Sequence, residues 1–312
     1  MAVVGVDVGG TKCLGVALEH GEVVAESRVA TPKGAEPVLA AIAELVGELG
    51  GRAPMEAVGV GVPGLVDREG VLRFAPNLTL GGAGLDVRSP LEERLGLPVT
   101  VDNDATCAAW GERELGAAKG LDDVILVTLG TGIGGGIITD GSVERGANGF
   151  AGEVGHMVVD PHGPPCPCGQ RGCWERFASG SGLGRLAREA AHAGRAARVL
   201  ELAGGDPEAV RGEHVTQAVD EGDPEAADVL ARFAWWLALG LANLTNIFDP
   251  EAFVLGGGLI RAGDALLVPT RTTLRELLPR QRPDVSVLLA TLGERAGAVG
   301  AACLAATRSS SS

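Results

Sequence analysis

Apolar residues recur along this chain in short blocks separated by glycine-rich turns and amphipathic stretches. Residues 3–8 form an apolar run that stops at Gly9-Gly10, and residues 14–18 and 23–29 repeat the pattern with Gly21 between them. Short apolar runs bounded by glycine predict strands. Residues 37–49 switch to helical spacing and are closed by Gly50-Gly51, which predicts a helix with a glycine stop. Residues 57–62 predict a further strand halted by Pro63-Gly64, 88–95 a helix, and 99–101 a strand. Asp102 or Asn103 can then cap a helix that runs through Leu115.

The pattern restarts at residue 123. Strands are predicted at 123–129 and 133–138 around a second glycine turn, and 181–247 is Ala-rich and mostly helical. A strand at 252–255 precedes Gly256-Gly257-Gly258; a helix at 262–278, a strand at 285–289 and a helix at 294–306 complete the chain before a polar tail. Each half thus opens with an apolar strand, a glycine turn and a second strand. Alternating strands and helices predict α/β layers.

Composition narrows the function classes. A chain of 312 residues suffices for two domains. The net charge of −14 opposes nucleic-acid phosphates and anionic lipid, so neither a nucleic acid nor a membrane is expected as partner. No apolar stretch is long enough to span a bilayer, and the start lacks the basic region of a secretion signal, so a cytoplasmic location is expected. The only lysines are Lys12, Lys33 and Lys119, which makes Lys12 beside a glycine turn conspicuous.

Asp7-Val8-Gly9-Gly10-Thr11-Lys12 joins strand to strand. Glycine permits close backbone approach to a phosphate, Thr11 and Lys12 add a hydroxyl and a cation, and Asp7 can serve Mg²⁺ through water. Alone, the segment reads equally as a hairpin turn with a surface lysine. Gly130-Thr131-Gly132 is a second such turn at the matching place in the other half, and the pair can clamp one triphosphate. Gly256, Gly257 and Gly258 offer close approach to a nucleotide, or merely a tight strand-to-helix turn. None of these is a Walker loop, which needs GxxxxGK[ST].

His156, Cys166, Cys168 and Cys173 form H-x9-C-x-C-x4-C, a Cys₃His set suited to tetrahedral structural Zn²⁺. Glu153 lies three residues before His156 and Glu175 two after Cys173, so the metal would gather both near one point. Asn103-Asp104 sits where a strand meets a helix, the place where ligands collect in α/β folds. A helix N-terminus favours the ionised form of Asp104, fitting it to accept a hydroxyl proton, although local sequence alone reads as simple capping. Asn77 is a loop amide, uninformative by itself.

Together, DVGGTK at 7–12, PNL at 76–78, DNDA at 102–105, LGTGIGGGI at 129–137, GEVGH at 152–156, CPCGQRGCWE at 166–175 and LGGG at 255–258 resemble the ROK family of repressors, open reading frames and kinases, most closely its glucokinases. The resemblance implies a duplicated ribonuclease-H-like, actin-like ATPase fold with a cleft between two α/β domains. These are placed at 1–117 plus 296–312 and at 118–295, the latter with the zinc loop 156–173. It implies ATP-dependent phosphorylation of glucose at the 6-hydroxyl, with Asp104 as base. The sugar ligands would be Asn77, Asn103, Asp104, Glu153, His156 and Glu175. The ATP contacts would come from Asp7, Gly9, Gly10, Thr11, Lys12, Gly130, Thr131, Gly132 and Gly256–Gly258, with Mg²⁺ alongside. His156 would hold zinc through one ring nitrogen and reach the sugar through the other. A homo-oligomer, dimer or tetramer, is expected. Kinases for mannose, fructose, N-acetylglucosamine or N-acetylmannosamine share these motifs. The family's repressors carry an added helix-turn-helix segment, for which the first predicted strand leaves no room, so that reading is disfavoured.

Overall fold

A computed structural model describes residues 2–50, 54–75 and 84–309. In chain order its first strands are β1 (Ala2–Val8), β2 (Lys12–Glu19), β3 (Glu22–Ala30), β4 (Met55–Val62), β5 (Leu65–Val66), β6 (Val71–Phe74), β7 (Leu85–Asp86) and β8 (Val99–Asn103). The first helices are α1 (Ala35–Gly50), α2 (Arg88–Leu95) and α3 (Asp104–Leu115). Then come β9 (Val124–Leu129), β10 (Ile133–Thr139), β11 (Ser142–Val143), β12 (Ala252–Gly256) and β13 (Ser286–Leu289). The later helices are α4 (Glu175–Ala178), α5 (Gly180–His192), α6 (Ala197–Leu202), α7 (Gly212–Asp220), α8 (Pro224–Phe248), α9 (Asp264–Leu277) and α10 (Ala296–Ser309).

The main sheets have orders β3-β2-β1-β4-β8 and β11-β10-β9-β12-β13. In each, the third, second, first, fourth and fifth strands of the set lie side by side, so one topology occurs twice. This is the duplication that the restarted pattern predicted. In the first sheet β2 runs antiparallel to β1 and β3, while β1, β4 and β8 are parallel. Side chains alternate along β1, so Val4, Val6 and Val8 enter a core with α1 and α2, and Val3 faces α10. Burying one such valine contributes about 1.5–3 kcal/mol. Gly5 and Gly59 face α10 as well; a Cβ at either would overlap the helix backbone at Ala298 or Ala301.

A third sheet, β5-β6-β7, was not foreseen. Two of its strands are two residues long, too short to show a period. The last helices also begin later than expected: a 3-10 segment, Gly258–Ala262, precedes α9, and another, Gly293–Arg295, precedes α10.

The chain forms two compact units, residues 1–126 with 136–152 and 290–312, and residues 127–135 with 153–289. Their edges differ from the expected halves because β9 and β10 are each shared. Gly136 packs on Ala105 and Ala109 of α3, whereas Gly130 packs on Gly180 at the start of α5. Among the described residues no helix is long and apolar enough to cross a membrane.

Candidate active site

In the first unit the expected residues gather at the carboxyl ends of β1, β4 and β8. Asp7 pairs across β4 with Gly61, and Gly61 with Asp102 on β8. Asp7 lies on the α10 face of β1; a Cβ on Gly297, in the first turn of α10, would be 2.7 Å from its carboxyl carbon. Burial, reinforced by neighbouring Asp104 and opposed by Lys12, pushes Asp7 up to about 7. The turn after β1 is closed by the Gly9 N–H donating to Lys12 O at 2.9 Å and by Thr31 Oγ1 donating to Gly9 O at 2.7 Å. The Lys12 ammonium lies 2.6 Å from Glu294.

The Asp7 shift has a measurable consequence. Its folded pKa of about 7 stands above the ordinary aspartate value of 3.8, so the folded chain holds this proton more tightly than the unfolded chain. The resulting stability is fully present below the lower value and is lost as pH rises through the upper one. Asp7→Asn is therefore expected to stabilise the ligand-free protein at pH 8 by roughly 2–4 kcal/mol, with little gain at pH 4. Urea unfolding at the two pH values checks this; equal effects at both would contradict it.

Asn103 is the N-cap of α3. Its side-chain oxygen accepts from the N–H groups of Ala105 (2.9 Å) and Thr106 (3.0 Å), and its Nδ2 donates to Gly64 O at 3.1 Å. What it still offers a ligand is one N–H. Asp104 is the first residue of α3, where the helix dipole favours negative charge, and its Oδ1 accepts from the Ala105 N–H at 2.8 Å. Buried Asp102 accepts from the Asn103 N–H (2.9 Å) and from Arg145 (2.8 Å), which fixes the strand end that presents both residues. Asn77 lies outside the described residues.

In the second unit the turn Gly130-Thr131-Gly132 adjoins two helix starts. The Gly180 N–H at the head of α5 donates to Gly130 O at 2.8 Å, and Gly212, heading α7, approaches Gly180 O. Gly257, with φ of 84°, abuts Leu129; its left-handed backbone and lack of a Cβ permit that approach. Around these elements lies a pocket of about 710 Å³ lined by Leu129, Gly130, Thr131, Gly258 and residues of α5 and α7. Arg188, Arg211 and Arg261 also line it, with Ser181, Glu213 and Thr216. Helix N-termini and arginines together suit an anion, and the volume suits a nucleotide. The sequence reading missed these six side chains. The one local hint was the glycine opening each of α5 and α7.

His156, Cys166, Cys168 and Cys173 place one donor atom each within 4.8 Å of all the others. Cys168 Sγ and Cys173 Sγ are 3.6 Å apart, and Cys166 Sγ is 3.8 Å from His156 Nδ1. Bonds of about 2.3 Å to sulfur and 2.0 Å to nitrogen give a tetrahedron whose edges are roughly 3.5–3.8 Å, so these residues fit zinc. The other ring nitrogen, Nε2, faces Glu153 at 3.8 Å. Burial raises the Glu153 carboxyl, His156 pulls it down and Glu175 pushes it up, which sets all three in one neighbourhood. Glu175 Oε1 is 3.1 Å from Cys166 Sγ, and its Oε2 lies where a Cβ on Gly132 would be only 2.6 Å away. One carboxylate therefore touches both the cysteine cluster and the glycine turn.

Trp174 roots this segment in the core. The indole is fully buried against Gly240 of α8, where any Cβ would overlap it, and its Nε1 donates to Trp236 O at 2.8 Å.

The family model described as ROK family matches residues 3–308. A glucokinase of Streptomyces coelicolor is 44% identical over 97% of this chain and 96% of its own length. A glucokinase of Thermotoga maritima is 37% identical, covering 97% of each chain. Among solved structures, the ROK family glucokinase of Streptomyces griseus in complex with glucose and AMPPNP superposes with a TM-score of 0.85 at 42% identity, covering 98% of this chain and all of that one.

Proposed function

The chain belongs to the ROK family, and on that premise we propose that it is a glucokinase, transferring the γ-phosphoryl group of ATP to the 6-hydroxyl of glucose. The observation that carries this reading is the division of His156 between two tasks. Nδ1 turns to the cysteine sulfurs while Nε2 turns to Glu153, with Glu175 completing a polar set suited to adjacent sugar hydroxyls.

In this reading Asn77, Asn103, Asp104, Glu153, His156 and Glu175 hold the sugar. Asp104 accepts the hydrogen bond of the 6-hydroxyl, orients its oxygen, and takes the proton as the phosphoryl group leaves ATP. The transfer is loose, so positioning and charge carry most of the rate. The turns at Gly9–Lys12 and Gly130–Gly132 cradle the phosphates, and the pocket beside α5, α7 and Gly256–Gly258 takes the nucleoside. Asp7 stands where it can hold Mg²⁺ through water; the ion would neutralise charge on the phosphate oxygens. His156, Cys166, Cys168 and Cys173 would hold Zn²⁺, whose contribution is placement of the sugar-binding side chains. The acidic charge supports the absence of a nucleic-acid or membrane partner, while a cytoplasmic location and a homo-oligomeric state rest on the family resemblance.

The test is ADP release measured with glucose, mannose, fructose, N-acetylglucosamine and N-acetylmannosamine. Glucose is expected to give a kcat/KM at least about 10-fold above the rest, because a pocket paired to every hydroxyl rejects analogues strongly. A preference for any of the other four sugars, or no ADP release with any, would refute the assignment.

A further inference from the structure

Among the described residues Glu112 is a fully buried carboxylate, at 0% exposure, that the mechanism leaves unused. It lies on α3, eight residues beyond Asp104, or about 12 Å along the helix. Donors surround both of its oxygens. Oε2 accepts from the Ala117 N–H (2.8 Å), the Thr291 N–H (3.1 Å) and Thr291 Oγ1 (3.2 Å), while Oε1 accepts from the N–H groups of Thr291 (3.0 Å) and Leu292 (2.8 Å). Only an acceptor at both ends satisfies such a set; a glutamine would turn an NH₂ toward N–H groups.

The gripped residues stand directly before the nucleotide side of the first unit. Thr291 and Leu292 lead into Gly293–Arg295 and then α10. Glu294 in that turn pairs with Lys12 at 2.6 Å and with Arg28 at 3.2 Å. Gly297, in the first turn of α10, abuts the Asp7 carboxylate. Beside Glu112, Gly111 lies so close to Ala296 O that a Cβ there would be 2.7 Å away, so the two helices cannot slide freely. The helix that begins at the proposed base thus grips, near its other end, the segment that touches both Asp7 and Lys12.

We propose that Glu112 is a positioning residue for phosphoryl transfer, locking residues 291–297 so that Asp7 and Lys12 stand in fixed register with Asp104. The proposal rests on the roles assigned to those three residues under the glucokinase reading. It predicts an effect on the nucleotide side of the reaction and not on sugar binding.

The experiment uses the full-length, zinc-loaded protein. Glu112→Gln is expected to lower kcat/KM for MgATP at least about 10-fold, since misplacement by about 1 Å can cost 10²-fold, with the glucose KM within about 2-fold of wild type. Amide exchange at Thr291, Leu292 and the first turn of α10 is expected to quicken, with β1 and β4 unchanged. Thr291→Val removes one donor alone and is expected to lower kcat/KM for MgATP by about 2–3-fold. A glucose KM raised as much as the MgATP KM, or an unchanged kcat/KM for MgATP, would overturn the proposal. If Glu112→Gln does not fold, an unaltered kcat/KM for MgATP in Thr291→Val overturns it instead. Absence of glucose phosphorylation by the wild type would sink the glucokinase reading alone. The lock is then judged by exchange at 291–297, and unchanged exchange there would reject it.

Discussion

Asp104→Asn is expected to lower kcat by at least about 10²-fold while glucose binding stays within a few-fold of wild type, because a positioned general base contributes typically 10²–10⁴-fold. Asparagine keeps the size of the side chain and an oxygen that can accept the Ala105 N–H, which in the native chain bonds Asp104 Oδ1 at 2.8 Å. The cap of α3 is Asn103, so the substitution should not unravel the helix. What is lost is the anion proposed to take the proton of the sugar hydroxyl. Steady-state kinetics with a separate calorimetric glucose titration checks both halves. A near-wild-type kcat would remove Asp104 from its role, and a parallel collapse of glucose binding would make it a sugar ligand first.

Removing the zinc proposed for the cysteine cluster, by chelation or by Cys173→Ser, is expected to raise the glucose KM at least about 10-fold or abolish turnover. The segment from His156 to Glu175 has almost no regular backbone pairing. Its ladder contacts are the isolated bridges Val158 to Cys173 and Pro165 to Arg171. A structural zinc site contributes about 10–16 kcal/mol against a few from burying the Trp174 anchor, so the metal is the larger stabilising contribution to this segment. Without the metal the chain should stay attached at Trp174 but lose the placement of His156, Glu153 and Glu175. Metal analysis, far-UV circular dichroism and glucose kinetics on the same sample test this. Full activity in zinc-free protein would rule it out.

Much of this architecture was legible because it rests on local rules. The apolar runs ending in glycine became β1, β4 and β9, the helix at 88–95 came out as read, and of the two caps read for α3, Asp102 and Asn103, it is Asn103 that caps. The four residues of the Cys₃His spacing come together, each with a donor atom within 4.8 Å of the others, since they lie within one short segment. What was illegible depends on tertiary assembly. Glu112 reads as the exposed acid of an amphipathic helix, yet it is buried because residues 291–292 return to it from nearly 180 positions away. Arg188, Arg211 and Arg261 look like solvated helix charges until α5, α7 and the segment before α9 meet. The Gly256–Gly258 turn was ambiguous for a related reason: its meaning depends on Leu129, which the sequence alone does not bring beside it.

The most direct measurement is a crystal structure of the protein with glucose bound. Glucose phosphorylation by the proposed route requires an Asp104 carboxylate oxygen at a hydrogen-bonding distance of about 2.6–3.2 Å from the sugar 6-hydroxyl. Glucose bound with that hydroxyl turned away, and Asp104 too far to reach it even through one water, would contradict the account.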